Sequence, residues 1–225
     1  MKWLAAAWWR LVRFGFRLLY NEMAWTYDTV SKVVSLGQWR DWQRVALRYL
    51  GPPHGGTVLE LAHGTGDLQI DLAAAGYRAI GLDRSQRMGR IARRKLGKLG
   101  LRTDLVRGDA RRLPFPDGIF GAVTSTFPTE FIVHPDTLAE AHRVLAPGGR
   151  FVVVVNGFLT GKNPSAEALE WLYRVTGQRG PWPEDALGLL RNAGFEPQVI
   201  TERLPRSAVL MVVGEKPGLS DPAGS

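Results

Sequence analysis

Glu60, Ala62, Gly64 and Gly66 recur at every second position through Val58-Leu59-Glu60-Leu61-Ala62-His63-Gly64-Thr65-Gly66-Asp67, and a second apolar run, Ile80-Gly81-Leu82, ends in Asp83. Small residues at that spacing let a ligand approach the backbone closely, and a carboxylate, which only accepts hydrogen bonds, suits the two hydroxyls of a ribose. A strand, a glycine turn, a helix and a second strand tipped by an acid form the layout that holds an adenosine-containing cofactor at the carboxyl edge of a parallel sheet. A dinucleotide site needs G-x-G-x-x-G, with backbone N–H groups and a helix start facing a diphosphate. Here the position three after Gly66 is Gln69, which argues against NAD or FAD. A further cluster, Gly108-Asp109-Ala110, falls where a third strand must end, on the same edge.

Those residues need a sheet to hold them. The pattern predicts strands over 57–61, 78–82, 103–107 and 119–125, alternating with helices over 66–75, 85–99 and 135–146. Arg150-Phe151-Val152-Val153-Val154-Val155 is the unbroken apolar run of a strand buried on both faces. After a helix over 183–193, strands over 196–203 and 207–214 follow one another with no helix between. The fold expected is α/β: a doubly wound, mostly parallel seven-stranded sheet with a C-terminal antiparallel hairpin, preceded by helices. Gly51-Pro52-Pro53-His54-Gly55-Gly56 separates the helices from the sheet. The expected organisation is an amphipathic helix over 1–20, a helical cap over 21–50, the sheet domain over 57–216 and a disordered tail over 217–225.

At 225 residues, 45% apolar and 22% charged, the chain supports one sizeable core. It has no cysteine, so disulfides, thiolate nucleophiles and cysteine metal sites are excluded, and its four histidines lack ligand spacing, so no metal is expected. The net charge of +8 is uneven: residues 1–50 carry +5, residues 84–112 carry +9 and the rest −6. In the first basic segment, Lys2, Arg10, Arg13 and Arg17 fall within an arc of roughly 80° on a helical wheel otherwise filled by Trp, Leu, Phe, Val and Ala. The arginines interrupt any transmembrane span, and no cleavage site follows. The segment suits a membrane interface, with tryptophans among the headgroups and arginines on anionic lipid. The alternative is packing on the domain's own core or on a second subunit in a homo-oligomer.

In this order and spacing the motifs resemble the class I S-adenosylmethionine-dependent methyltransferases, from about Tyr20 to Lys216. The resemblance also takes in Leu113-Pro114-Phe115-Pro116-Asp117 and Arg143-Val144-Leu145-Ala146-Pro147-Gly148-Gly149-Arg150. Within that superfamily the chain is most similar to the ubiquinone and menaquinone biosynthesis C-methyltransferases, through Leu61-Ala62-His63-Gly64-Thr65-Gly66-Asp67 and through Tyr27-Asp28 with Ser35-Leu36-Gly37-Gln38-Trp39-Arg40-Asp41-Trp42. The resemblance implies S-adenosyl-L-methionine as cofactor. Its contacts would come from Glu60, Ala62, His63, Gly64, Thr65 and Gly66 in the loop, Asp83 and Arg84 at the ribose, Asp109 and Ala110 at the adenine, and Thr126 after the fourth strand. Tyr27 would close over the site from the N-terminal helices. Two positions depart from the family: His63 replaces a loop glycine, and Phe127-Pro128-Thr129-Glu130-Phe131 stands where F-G-L-R-N is usual.

The resemblance implies a lipophilic small-molecule acceptor, a prenylated quinol, and the basic, tryptophan-rich N-terminal segment adds the expectation of a cytoplasmic chain peripherally bound to membrane. The enzyme must align acceptor, methyl and sulfur and exclude water, and a base must take a phenolic proton; His134, Glu130 and His63 are the candidates. N- or O-methylation of a lipid headgroup or another small molecule, a nucleic-acid methyltransferase and a non-catalytic module are the alternatives. The basic helix with Arg87, Arg90, Arg93, Arg94, Lys95 and Lys98 has too few interleaved aromatics to favour nucleic acid.

Overall fold

The computed structural model describes residues 35–52, 56–102, 104–160 and 185–218. The expected helix over 1–20, Tyr27 with the first part of the cap, and the tail beyond 218 lie outside the described residues.

The sheet has seven strands in the order β3-β2-β1-β4-β5-β7-β6: β1 Thr57–Leu61, β2 Ala79–Asp83, β3 Leu105–Arg107, β4 Phe120–Thr126, β5 Leu145–Leu159, β6 Glu196–Leu204 and β7 Ser207–Glu215. β1 through β5 pair in parallel, while β7 runs antiparallel to β5 and to β6. The strand order reverses between β1 and β4, and a crevice at the carboxyl ends there is the general ligand position of doubly wound sheets.

Alternate residues of each inner strand build the two faces. Val58, Ala122, Val152 and Val154 pack against Trp42, Val45 and Ala46 of the N-terminal segment and against Leu68 and Leu72. These come from helix α1, Trp39–Arg44, its 3-10 extension Val45–Arg48, and helix α2, Asp67–Ala74. On the other face Leu59, Leu61, Val123, Phe151 and Val153 meet Leu138, Ala141 and Leu190. Those belong to α4, Pro135–Val144, and α5, Ala186–Asn192, while α3, Gln86–Lys98, seats Met88, Ala92 and Leu96. β6, at the edge, is half solvated and carries Pro197, which an edge strand tolerates.

The larger departures from the sequence pattern fall in two places. The helix expected to reach 146 stops at Val144, and β5 begins at Leu145 rather than at 150. Leu145 pairs with Phe120, the ladder then shifts, and Arg150 pairs with Ala122, so Pro147-Gly148-Gly149 is a kink inside a strand. The helical run expected to reach Leu50 tightens after Arg44 into the 3-10 turn, and Gly51 ends it at a φ of +83°.

Candidate functional site

The loop after β1 turns sharply. Ala62, Gly64 and Gly66 have φ of +57°, +54° and +85°, the left-handed region that glycine enters freely and alanine only at a cost. Gly66 caps α2, and a β-carbon there would stand 2.9 Å from that of Ala92, so the small residue lets α3 close on the loop. A β-carbon on Gly64 would meet nothing within 4 Å, which leaves open space over the loop.

Asp83 ties this loop to the tip of β2. Its Oδ2 accepts from Gly64 N–H at 2.9 Å and its Oδ1 from Ser85 N–H at 2.7 Å. Each oxygen keeps a further lone pair, enough for a ribose diol. The next strand tip is fastened in turn, because Gly108 N–H donates to the Asp83 carbonyl at 3.1 Å. Asp109 beyond it accepts from the Arg111 guanidinium at 2.7 and 3.1 Å and from Arg111 N–H at 3.0 Å, which holds its carboxyl down at about 2. Ala110 is buried beside it.

Carboxyl groups and a lysine stand around the loop. Burial pushes the Glu60 carboxyl up to about 8, Gln69 opposes the rise by donating to it at 2.6 Å, and Asp83, Asp67 and Asp71 add to it. The nearby cation Lys95 is engaged by Asp67 at 2.7 Å and reaches Thr65 Oγ1 at 3.3 Å. The Asp83 carboxylate at the strand tip suits hydroxyl donors and disfavours a diphosphate. A ribose bearing a sulfonium and an ammonium, as in S-adenosylmethionine, fits these residues: Asp83 for the ribose and the loop backbone for the cationic end.

The three candidate bases stand in different surroundings. The His63 ring is buried against Gly81, where a β-carbon would come within 2.9 Å of its Cδ2, and its Nδ1 lies 2.9 Å from the Gly64 carbonyl. A carbonyl only accepts, so Nδ1 carries the proton; burial lowers the ring's pKa, Asp83 opposing, and the neutral ring stiffens the loop. His134 caps α4, its Nδ1 accepting from Asp136 N–H at 3.2 Å. Glu130, on the exposed turn after β4, has no hydrogen bond or ion pair among the described residues.

Across the crevice, β4 ends at Thr126, and Ser125 Oγ donates to the Leu61 carbonyl at 2.8 Å, joining the strands on either side of the switch point. Phe127 follows at a φ of +50°, a strained conformation for a bulky residue, held by its N–H to the Val154 carbonyl at 2.8 Å. Its ring lies 4.2 Å from that of Trp39 and 6.2 Å from that of Trp42. Thr126 Oγ1 accepts from Gln43 Nε2 at 3.0 Å. Gln43 was not singled out by sequence; the available signal was a polar residue on the helix face that buries Trp42 and Ala46. The structure thus brings Glu60 through Gly66, Asp83, Asp109, Ala110 and Thr126 to one sheet edge. Arg84 turns toward an open cleft of about 440 Å³, lined also by Ser85, Gln86, Arg87, Arg90 and Arg107.

Residues 16–180 match the model of the ubiE/COQ5 methyltransferase family. A demethylmenaquinone methyltransferase of Thermus thermophilus is 39% identical over 164 residues, 72% of each chain. The mitochondrial 2-methoxy-6-polyprenyl-1,4-benzoquinol methylase of Drosophila melanogaster is 34% identical over 174 residues, 69% of this chain and 56% of that one. A geranyl diphosphate methyltransferase solved in complex with S-adenosylmethionine superposes with a TM-score of 0.60 at 17% identity, over 79% of this chain and 85% of that one, a likeness of fold. The glycine loop, the acid at the tip of β2 and the family match agree: the chain is an S-adenosylmethionine-dependent methyltransferase and belongs to the ubiE/COQ5 methyltransferase family.

Proposed function

We propose that the chain methylates a ring carbon of a prenylated quinol at a membrane surface. The observation that carries this reading is its identity to relatives named for demethylmenaquinone and for a polyprenyl benzoquinol. The aromatic wall of Trp39 and Phe127 beside Thr126 supports it, since a planar ring stacks there at low cost.

When bound, S-adenosylmethionine supplies a methyl group already activated on a sulfonium. The chain's part is to orient and to exclude water. Asp83 and the loop fix the cofactor's ribose and cationic end, and the β4 tip presents the acceptor ring. Of the three candidate bases, Glu130 alone has an uncommitted side chain, and it takes the phenolic proton that makes the ring carbon nucleophilic. The chain's residues would hold the ring carbon in line with the activated methyl; the ring's C–H proton would then leave to water as Glu130 returns its proton to the ring oxygen, which restores the quinol.

The membrane part of the reading is supported by two cationic features. Residues 1–20, outside the described residues, pair tryptophans with Arg10, Arg13 and Arg17, and the cleft at Arg84, Arg87, Arg90 and Arg107 contains no acid. Among the described residues no helix is long and apolar enough to cross a membrane. The test incubates the full chain and labelled S-adenosylmethionine with a total lipid extract containing reduced quinones. Label on a quinol ring carbon is expected; label only on an amine headgroup would sink the quinol reading. Liposome co-sedimentation unchanged after deletion of residues 1–20 would refute the membrane role of that segment.

A further inference from the structure

Resting on the quinol reading, we infer that Gln43 is a positioning residue for the methyl acceptor: its side-chain oxygen accepts a hydrogen bond from the acceptor's hydroxyl. Gln43 is 9% exposed, and its Nε2 is spent on Thr126 Oγ1. Its Oε1 is buried and has no partner. A buried amide oxygen left unpaired costs about 1–3 kcal/mol, so its retention at the end of a strand that borders a ligand crevice needs a reason.

The family resemblance would give Thr126 to the cofactor; its hydroxyl instead accepts from Gln43, and its place on β4 points to the acceptor. The loop, Asp83 and Asp109 stand on the β1–β3 side of the switch point, whereas Thr126 ends β4 and α1 packs on β5 through Trp42, whose indole lies flat on Gly157. Phe127 follows Thr126, the partner of Gln43, and its ring meets those of Trp39 and Trp42 from the same helix as Gln43. A ring with a hydroxyl on its edge matches that pairing of flat apolar walls with one buried acceptor oxygen. Among the described residues two other buried side-chain polar atoms have no partner, Trp42 Nε1 and Thr137 Oγ1. Neither belongs to a residue that bonds a strand tip at the crevice.

The test compares, in the full chain, binding of a short-chain quinol with that of its di-O-methyl ether, which cannot donate. Each comparison is internal to one protein, so the ratio does not depend on the fraction folded. Wild type is expected to prefer the quinol about tenfold, the worth of one hydrogen bond to a buried oxygen. Gln43→Met, of similar size, should bring that ratio to about one while the cofactor Kd stays within about twofold. Gln43→Glu keeps an acceptor oxygen and should keep the preference. An undiminished preference in Gln43→Met, or a loss confined to cofactor binding, overturns the inference. Loss in Gln43→Glu as well as in Gln43→Met assigns the contact to the amide N–H and overturns the acceptor role. A wild type that binds no quinol overturns the quinol reading itself, and the hydroxyl as partner with it.

Discussion

The half of the crevice built from residues 60–67, 83–85 and 108–110 and the half built from Gln43, Thr126, Phe127, Trp39 and Trp42 meet their polar needs in different ways. In the first, backbone N–H groups of Gly64 and Ser85 end on Asp83, Gln69 ends on Glu60 and Lys95 ends on Asp67. In the second, the buried Oε1 of Gln43 has no partner and Phe127 sits in a strained conformation. A cofactor common to every turnover can be met by a site that is complete beforehand, since preorganisation removes ordering costs at each binding event. An acceptor is discriminated best by polar groups whose pairing only the right molecule completes.

The contrast can be broken most forcefully at Asp83. Asp83→Ala removes the acceptor of two backbone N–H groups and the carboxylate proposed to hold the ribose, and cofactor affinity should fall on the order of 10³-fold by calorimetry. A loss below about fivefold would mean the loop holds its ligand another way. In the turn that follows β4, Glu130→Gln should lower kcat about 10²-fold and leave cofactor affinity alone, the separation expected if acceptor chemistry and cofactor binding are independent. An unchanged kcat removes Glu130 from the mechanism.

Glu60 offers a test through pH. Its folded carboxyl is raised to about 8 from an ordinary 4.5, so between those limits the folded chain holds a proton that the unfolded chain has released. The stability linked to that proton is fully present below about 4.5 and lost as pH rises through about 8. Glu60→Gln should flatten this part of the Tm–pH profile and gain on wild type as pH rises; parallel profiles would show that the carboxyl is not the source. The smallest effect is expected at Asp71, buried on α2 and bonded by Arg40 at 2.9 and 3.0 Å and by Arg44 at 3.1 Å. Both arginines are more than two-fifths exposed and can turn to solvent, so Asp71→Ala should cost only about 1 kcal/mol of stability. If acceptor KM rises with it while cofactor Kd holds, α1 is the strap that sets the acceptor wall; if both move together, the two halves are one unit.

How much could be read beforehand follows from sequence separation. The alternation of apolar runs and glycine turns gave the seven strands and the edge hairpin, because period-two and unbroken apolar patterns are local signals. Gly64, Gly66 and Asp83 stood out because a left-handed turn and an acid at a strand tip are written in a few adjacent residues. β5 was misjudged at its start, since Pro147-Gly148-Gly149 breaks an isolated segment but is absorbed as a kink where β4 pairs on both sides of it. The place of His63 was illegible, because only the β1–β2 register puts its ring over Gly81.

The sequence by itself determined the parallel sheet, the cofactor class and the glycine loop proposed to receive it, for the signals lie in residue types within short βαβ units. Only the tertiary structure decided that Gln43, 83 residues from Thr126, shares a wall with it and leaves a buried oxygen unpaired. That contact exists because α1 folds back over β5 and buries Trp42, a packing event whose side-chain partners no local pattern specifies.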